Sequence, residues 1–278
     1  MKKISIAILL LLAAQRMPGQ LARSPLSARY TGISTYSNNF MDAFSGSNNQ
    51  AALAQTKQAS AGVYGERRFL LKELSNYAAA ISLPSKWGGI GVSINYFGGE
   101  NFNTSQLGLG YGKKLGDKID IGIQVNYNMI KLSGYGNGSA LNFEMGTILH
   151  LTDKVNIGIH VYNPVGGKFG KMSNEKLASV YSTGIGYQAS DKFFISAEIS
   201  KEEEHPVNIN ADMQYVFADD FFARLGVATE TGNYFFGLGV QWKTFRVDAV
   251  TNWHAQLGIT PAIMLLFNFH ANKQSGSD

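Results

Sequence analysis

The eleven residues Ile119-Asp120-Ile121-Gly122-Ile123-Gln124-Val125-Asn126-Tyr127-Asn128-Met129 alternate without a break between large apolar side chains and small or polar ones. Successive side chains of an extended chain point to opposite faces, so one face of this stretch is greasy and the other wet. The same division recurs in Ile90, Val92, Ile94 and Tyr96 against Gly91, Ser93 and Asn95. It recurs again in Val207, Ile209, Ala211, Met213 and Tyr215 against Asn208, Asn210, Asp212 and Gln214. In a soluble sandwich the apolar face meets a second apolar face; in a membrane barrel it meets lipid and the polar face lines the lumen. Alternation alone does not separate the two.

Three features do. Fourteen such segments begin near Gln58, Ser75, Trp87, Thr104, Lys118, Ser139, Lys154, Ala178, Lys192, Pro206, Asp220, Asn233, Thr244 and Ile259, and most run for about 10 residues, the length of a tilted spanning strand. Their connections alternate in kind. Tight polar turns fall at Pro84 to Lys86, Leu115 to Lys118, Thr152 to Lys154, Ser190 to Lys192, Asp219 to Asp220 and Lys243 to Thr244, with more variable links between them. Finally, Trp87, Tyr111, Tyr187, Phe193, Phe217, Phe221, Trp242 and Phe245 gather near the tight turns, and Tyr96, Phe97, Tyr181, Tyr234 and Trp253 near the opposite ends. Two such girdles are what amphipathic rings seek at headgroup level. The reading is an all-β, antiparallel transmembrane barrel of about 14 strands.

The chain ends fit that compartment. Lys2 and Lys3 precede an apolar run from Ile4 to Ala14 and a polar stretch to Gln20, the layout of a secretory signal peptide over residues 1–20. The run is well short of the ~20 residues a spanning helix needs. With Lys2, Lys3 and Arg16 removed, the formal charge of +4 falls to 21 basic against 20 acidic residues, which asks for no nucleic-acid partner. An exported chain without cysteine has no disulfide framework, and a closed barrel holds itself by backbone pairing instead. An even strand count with short turns on one side places both termini in the periplasm of a Gram-negative cell. Residues 57–270 are read as the barrel and 271–278 as a polar tail.

No residues mark a catalytic, metal or cofactor site. Gly108-Leu109-Gly110-Tyr111-Gly112-Lys113-Lys114 has the look of a phosphate loop, but no helix follows and the glycines alternate with Leu107, Leu109 and Tyr111, so they read as inward-facing strand glycines. His150, His160, His205, His254 and His270 lie far apart, without zinc-ligand spacing. Glu144, Glu198, Asp212, Glu230 and Asp248 fall on inward faces with Arg224 and Arg246 among them, where opposite charges pair. No nucleophile elbow is present.

Residues 21–56 are rich in Ser, Asn, Ala and Gly and poor in strand formers, as a compact polar plug in a narrow lumen requires. They contain Ser27-Ala28-Arg29-Tyr30-Thr31-Gly32-Ile33, then Asp42-Ala43, then Asn49-Gln50-Ala51-Ala52-Leu53. This pattern resembles the N-terminal signature of the FadL superfamily, particularly its PorV and PorQ type members of Bacteroidota. The resemblance implies a plug or hatch carried by Ala28, Arg29, Gly32, Asp42, Asn49, Gln50, Ala51 and Leu53, although Gln50 stands where the family has proline. It covers essentially the whole exported chain, fourteen strands being the family's number.

Two roles follow from that resemblance. One is a noncatalytic accessory subunit of a type IX secretion-like machine, partnered by another outer-membrane barrel or lipoprotein. The economy of the chain motivates it, since strands consume most of the roughly 258 residues left after the signal. The other is a channel for hydrophobic small molecules, with Gly88 and Gly89 in the third strand permitting a wall kink. Most inward positions are Gly, Ser, Asn, Gln or charged, which weakens a greasy conduit, but Phe194, Phe222, Phe235, Ile148 and Met264 are candidates for a small apolar pocket.

Overall fold

Period-two alternation sustained over strand after strand gives every backbone N–H and C=O a neighbour on both sides only if the sheet closes. In the computed structural model it does. The structure describes residues 29–167, 169, 177–203, 205–218, 220–229 and 233–269. The signal segment, Ala28, Glu230, His270 and the tail 271–278 lie outside them.

Fourteen antiparallel strands form the barrel: β1 (Ser60–Arg67), β2 (Ser75–Ser85), β3 (Gly88–Gly98), β4 (Phe102–Leu115), β5 (Ile119–Leu132), β6 (Gly136–His150) and β7 (Val155–Tyr162), followed by β8 (Val180–Ser190), β9 (Phe193–Glu202), β10 (Val207–Ala218), β11 (Phe221–Ala228), β12 (Asn233–Trp242), β13 (Phe245–His254) and β14 (Gly258–Asn268). Each begins within three residues of the position expected from the sequence. Each strand pairs with the next, and β14 closes onto β1 from Ser60 opposite Asn268 to Glu66 opposite Ala262. The start of β1, the end of β14 and the six tight turns therefore share one end of the barrel, here the turn end. Among the described pairings the register shifts only in β8 near Gln188 and in β10 near Val216, both beside tight turns.

The two faces are inverted relative to a water-soluble protein. On β5, Asp120, Gln124, Asn126 and Asn128 are 0–6% exposed, whereas Ile119, Ile121, Ile123, Val125, Tyr127 and Met129 are 38–57% exposed. An apolar belt around the outside and a buried polar face inside is the arrangement that lipid stabilises. Among the described residues no helix is long and apolar enough to cross a membrane. Trp87 and Trp242 project from the turn-end rim, and Tyr181, Tyr234 and Trp253 from the opposite one. Phe97 departs from the expected girdle. It has the inward parity of Asn95, and its ring lies under the Arg68 guanidinium, 5.2 Å from the centroid.

The link from β1 to β2 is more structured than its sequence suggests. Two 3-10 turns, Arg68–Leu70 and Lys72–Leu74, fold across the barrel end, with Phe69 and Leu70 in the left-handed region at φ 53° and 63°. The Phe69 N–H donates to Thr260 Oγ1 on β14, and its ring meets His254 edge-on.

Ile123 sits on the lipid-facing side near the middle of β5. Ile123→Arg is expected to cost about 2–4 kcal/mol, as a cationic side chain at mid-bilayer does, read as a lower urea midpoint in vesicle-supported unfolding. The same change at Leu115, beside a turn, should cost much less.

Candidate functional site: the occupied lumen

The inner wall does not enclose open water. Residues 29–56 lie inside it as short helical turns, Arg29–Gly32, Ile33–Tyr36, Ser45–Asn48 and Gln50–Gln55, joined by bends. No turn is long enough to be stable alone. What fixes them is burial and hydrogen bonding to the wall. Tyr30, Ile33, Tyr36, Phe44, Asn49, Gln50, Ala51 and Leu53 are all at most 3% exposed.

Glycines of the wall make room for this segment by close approach. A Cβ on Gly122 would lie 2.2 Å from the Gln50 carbonyl carbon, and one on Gly89 would lie 1.9 Å from the Leu53 carbonyl oxygen. The Tyr36 ring lies against Gly158 and Gly184, its Cβ and carbonyl against Gly186, and the Tyr30 ring against Gly237. The Gly108, Gly110 and Gly112 series of β4 also faces inward, with Leu53 packed at Gly110 and Gly112.

Three polar anchors hold the segment. At the first, Arg246 grips Asp248 through Nε at 2.9 Å and NH2 at 2.7 Å, and its NH1 reaches Asp42 at 3.3 Å. Arg224 NH2 lies 3.9 Å from the same Asp42 carboxylate, and its NH1 donates to the Tyr30 carbonyl at 3.1 Å. The Tyr30 hydroxyl donates to Asp248 at 2.8 Å. Burial pushes this phenol well above the usual tyrosine range, so it stays a donor. Two guanidiniums and two carboxylates thus balance inside the lumen, which offsets much of their desolvation.

The second anchor centres on Glu144 of β6, fully buried. Gln50 Nε2 donates to it at 2.8 Å and Asn126 Nδ2 at 2.6 Å, and His160 Nε2 lies 2.9 Å away. At the third, the Tyr36 hydroxyl donates to Glu198 at 2.8 Å and Ser37 Oγ to Gln188 Oε1 at 2.8 Å. Burial first, then the Glu198 carboxylate, pushes the Tyr36 phenol up as well.

The residues singled out in the sequence fall out as follows. Arg29 opens the first turn; a Cβ on Gly32 would crowd the Asn48 side chain at 2.9 Å. Asp42 accepts from the Phe44 N–H and faces both arginines. Asn49 caps the Gln50–Gln55 turn by accepting from the Ala51 N–H, and donates across to the Ile159 carbonyl at 3.1 Å. Gln50, in the proline position of the resembled motif, supplies a side-chain donor that proline lacks. Leu53 fills a slot beside Gly46 and Gly91.

Two expectations take a different form. Gly88 lies at the β2–β3 turn with φ 150°, and β3 pairs with β2 and β4 without a register shift, so these glycines mark a turn and a close approach and not a break in the ladder. The five apolar inward residues do not form one pocket. Phe235 and Met264 cluster with Tyr30 and Phe44, Ile148 and Phe194 cluster with Tyr36, and Phe222 stacks against Arg246 with the cation 4.7 Å from its ring centroid.

Tyr30 and Tyr36 are the anchors that the sequence reading passed over. Their only signal was an aromatic in an otherwise small and polar stretch.

The lumen is also two-sided. Ser93, Asn95, Gln106, Asn126, Asn128 and Asn142 line β3 to β6, while Tyr64, Ala78, Ala80, Val250, Ala262, Met264 and Leu266 form an apolar mid-wall patch on β1, β2, β13 and β14, between Glu66, Asn76 and Thr260 on one side and Ser60, Ser82, Arg246 and Asp248 on the turn side.

Among solved structures, the fold is that of FadL-type outer-membrane channels. The CymD monoaromatic hydrocarbon channel superposes with a TM-score of 0.62 at 12% identity, covering 84% of this chain and 94% of the other. A Pseudomonas aeruginosa FadL homologue gives 0.61 at 12% identity, covering 86% and 97%. The Ralstonia pickettii toluene transporter TbuX gives 0.61 at 12% identity, covering 82% and 94%. No protein-family model matches the chain, and no curated protein does. The likeness is one of fold alone.

Two substitutions test the fit. Gly122→Val is expected to leave barrel assembly intact, read by heat-modifiable gel migration, while residues 29–56 become accessible to protease. Asp248→Ala leaves both guanidiniums facing Asp42 alone. Breaking a buried pair from one side costs about 3–5 kcal/mol, and the expected readout is faster amide exchange over residues 30–48 with the strands unchanged.

Proposed function

We propose that this protein is an outer-membrane channel for small hydrophobic molecules, in which residues 21–56 act as a plug and both termini face the periplasm. The observation that carries this reading is the apolar luminal column of Tyr64, Ala78, Ala80, Val250, Ala262, Met264 and Leu266, which in this state is covered by Tyr30 and Phe44 of the N-terminal segment and is laid bare when that segment shifts. A neutral apolar solute gains by leaving water for such a surface, whereas an ion or sugar does not. The neighbours of the same fold include a monoaromatic hydrocarbon channel and a toluene transporter. That supports passage of compounds of this kind over a role in secretion.

In this reading the plug is held, not fused. Its turns are too short to be stable alone, and its anchors are side-chain contacts at Asp42, Gln50 and Tyr36. A modest displacement therefore opens a route without unfolding the wall.

A second reading, an accessory subunit beside another outer-membrane barrel or lipoprotein in a type IX secretion-like machine, is favoured by the amide-rich half of the lumen and by the N-terminal motif. It places the function on the outer surface and requires no movement of the plug.

The chain has no cysteine, so a Ser37→Cys, Gln188→Cys pair reacts cleanly with a short, cleavable thiol crosslinker. Radiolabelled toluene uptake by cells carrying the wild-type barrel is expected to exceed the empty-vector rate. It should fall to that rate on crosslinking and recover on reduction. Uptake that never rises above the vector rate refutes the channel and leaves the accessory role.

A further inference from the structure

We infer that solute leaves the lumen at the turn end, through a chamber between the N-terminal segment and β14, β1 and β2, and that Phe44 closes the passage into it. This rests on the channel reading above and adds a route to it.

A cavity of about 350 Å³ lies at that end, lined on one side by Met41, Asp42, Ala52 and Leu53 and on the wall side by Ser60 and Ser82. Ser60 pairs with Asn268 on one side and Ser82 on the other, so the cavity sits at the last rung before the turns. Toluene-sized solutes fit such a volume. Its lining mixes methionine and leucine with hydroxyl and amide groups, the Asp42 carboxylate and Lys57, which suits a small molecule about to meet water, not a long acyl chain.

Directly beyond it, deeper in the barrel, stands the apolar column. Gly62, Leu266 and Ala80 share one rung and Tyr64, Met264 and Ala78 the next. What divides column from chamber is a single bend of backbone. Asp42 and Gly46 line the chamber, while Ala43 and Phe44 between them belong to the column. The Phe44 ring is pressed onto the wall so closely that a Cβ on Gly62 would lie 2.7 Å from it and 2.6 Å from Leu266.

The bend is set by local bonds, the Phe44 N–H to Asp42 Oδ1 at 3.0 Å and the Asp42 N–H to Ser45 Oγ at 3.0 Å. Its ties to the wall are the Asp42 contacts with Arg246 and Arg224. Exit sideways through β3 is disfavoured in this state, because that strand keeps an unbroken ladder with both neighbours. Exit through the bend needs the Asp42–Phe44 stretch to shift off Gly62 and Leu266, which is the part of the plug displacement proposed above that opens the chamber.

The test measures toluene uptake by cells carrying full-length variants. Phe44→Ala removes the barrier and is expected to raise the initial rate several-fold. Ser82→Trp fills the chamber from the wall side and is expected to bring the rate close to the vector level.

Should Ser82→Trp fail to assemble, Thr56→Cys, modified by a bulky thiol reagent after assembly, blocks the same chamber in a folded barrel and should give the same loss. A wild-type barrel that transports, with both blocked forms transporting equally fast, overturns the exit route while leaving the channel standing. A wild-type barrel that takes up no toluene overturns both.

Discussion

Everything in this structure depends on one constraint: in lipid, a backbone N–H or C=O has no water to bond, so each must find a partner within the protein. Closure of β1 onto β14 meets that demand for the wall and leaves no edge. The outward apolar belt and the inward polar face are consequences. Once the sheet closes, its greasy side has to face the membrane, and its inner side is left holding Asn, Gln, Glu and Arg away from bulk water. Those groups then need partners of their own, and the N-terminal segment provides them. Gln50 reaching Glu144 and Tyr30 reaching Asp248 are the clearest cases.

The lumen therefore works as the protein core, built in the reverse of the usual order. In a soluble domain, apolar burial drives collapse and polar groups are tolerated inside. Here the wall is fixed by backbone pairing, and the interior is specified by side-chain hydrogen bonds, two ion-paired arginines and glycines that admit backbone. Such an interior is selective, because an intact hydrogen bond adds only about 1 kcal/mol net while a partner lost from one side leaves a buried group unsatisfied. The segment also shares two apolar clusters with the wall, one around Phe44 and one around Tyr36.

How much of this was legible follows from what kind of order each part has. Strand positions were legible because period two is a local property: β5 announces itself in eleven consecutive residues. Parity is equally available: Tyr96 and Phe97 are neighbours on one strand and face opposite ways, so only Tyr96 belongs to a girdle, and the structure puts Phe97 inside beneath Arg68. The N-terminal segment has no period at all. Its composition pointed to the lumen, but the partners of Tyr30 and Gln50 lie 218 and 94 residues along the chain, beyond any local pattern. The inward glycines were seen as strand glycines. That they face backbone at Gln50 and Leu53 depends on a register between segment and wall that only tertiary packing sets.

The N-terminal segment ends at Gln55 and β1 begins at Ser60, and β1 is one lip of the seam at which the barrel closes. A four-residue tether spans at most about 14 Å, so the last turn of the segment never strays far from that seam. Whatever shifts the segment leaves it moored to the lip of the wall it lay against. Its return is a search within one molecule over a short distance, with the glycine beds waiting where it left them.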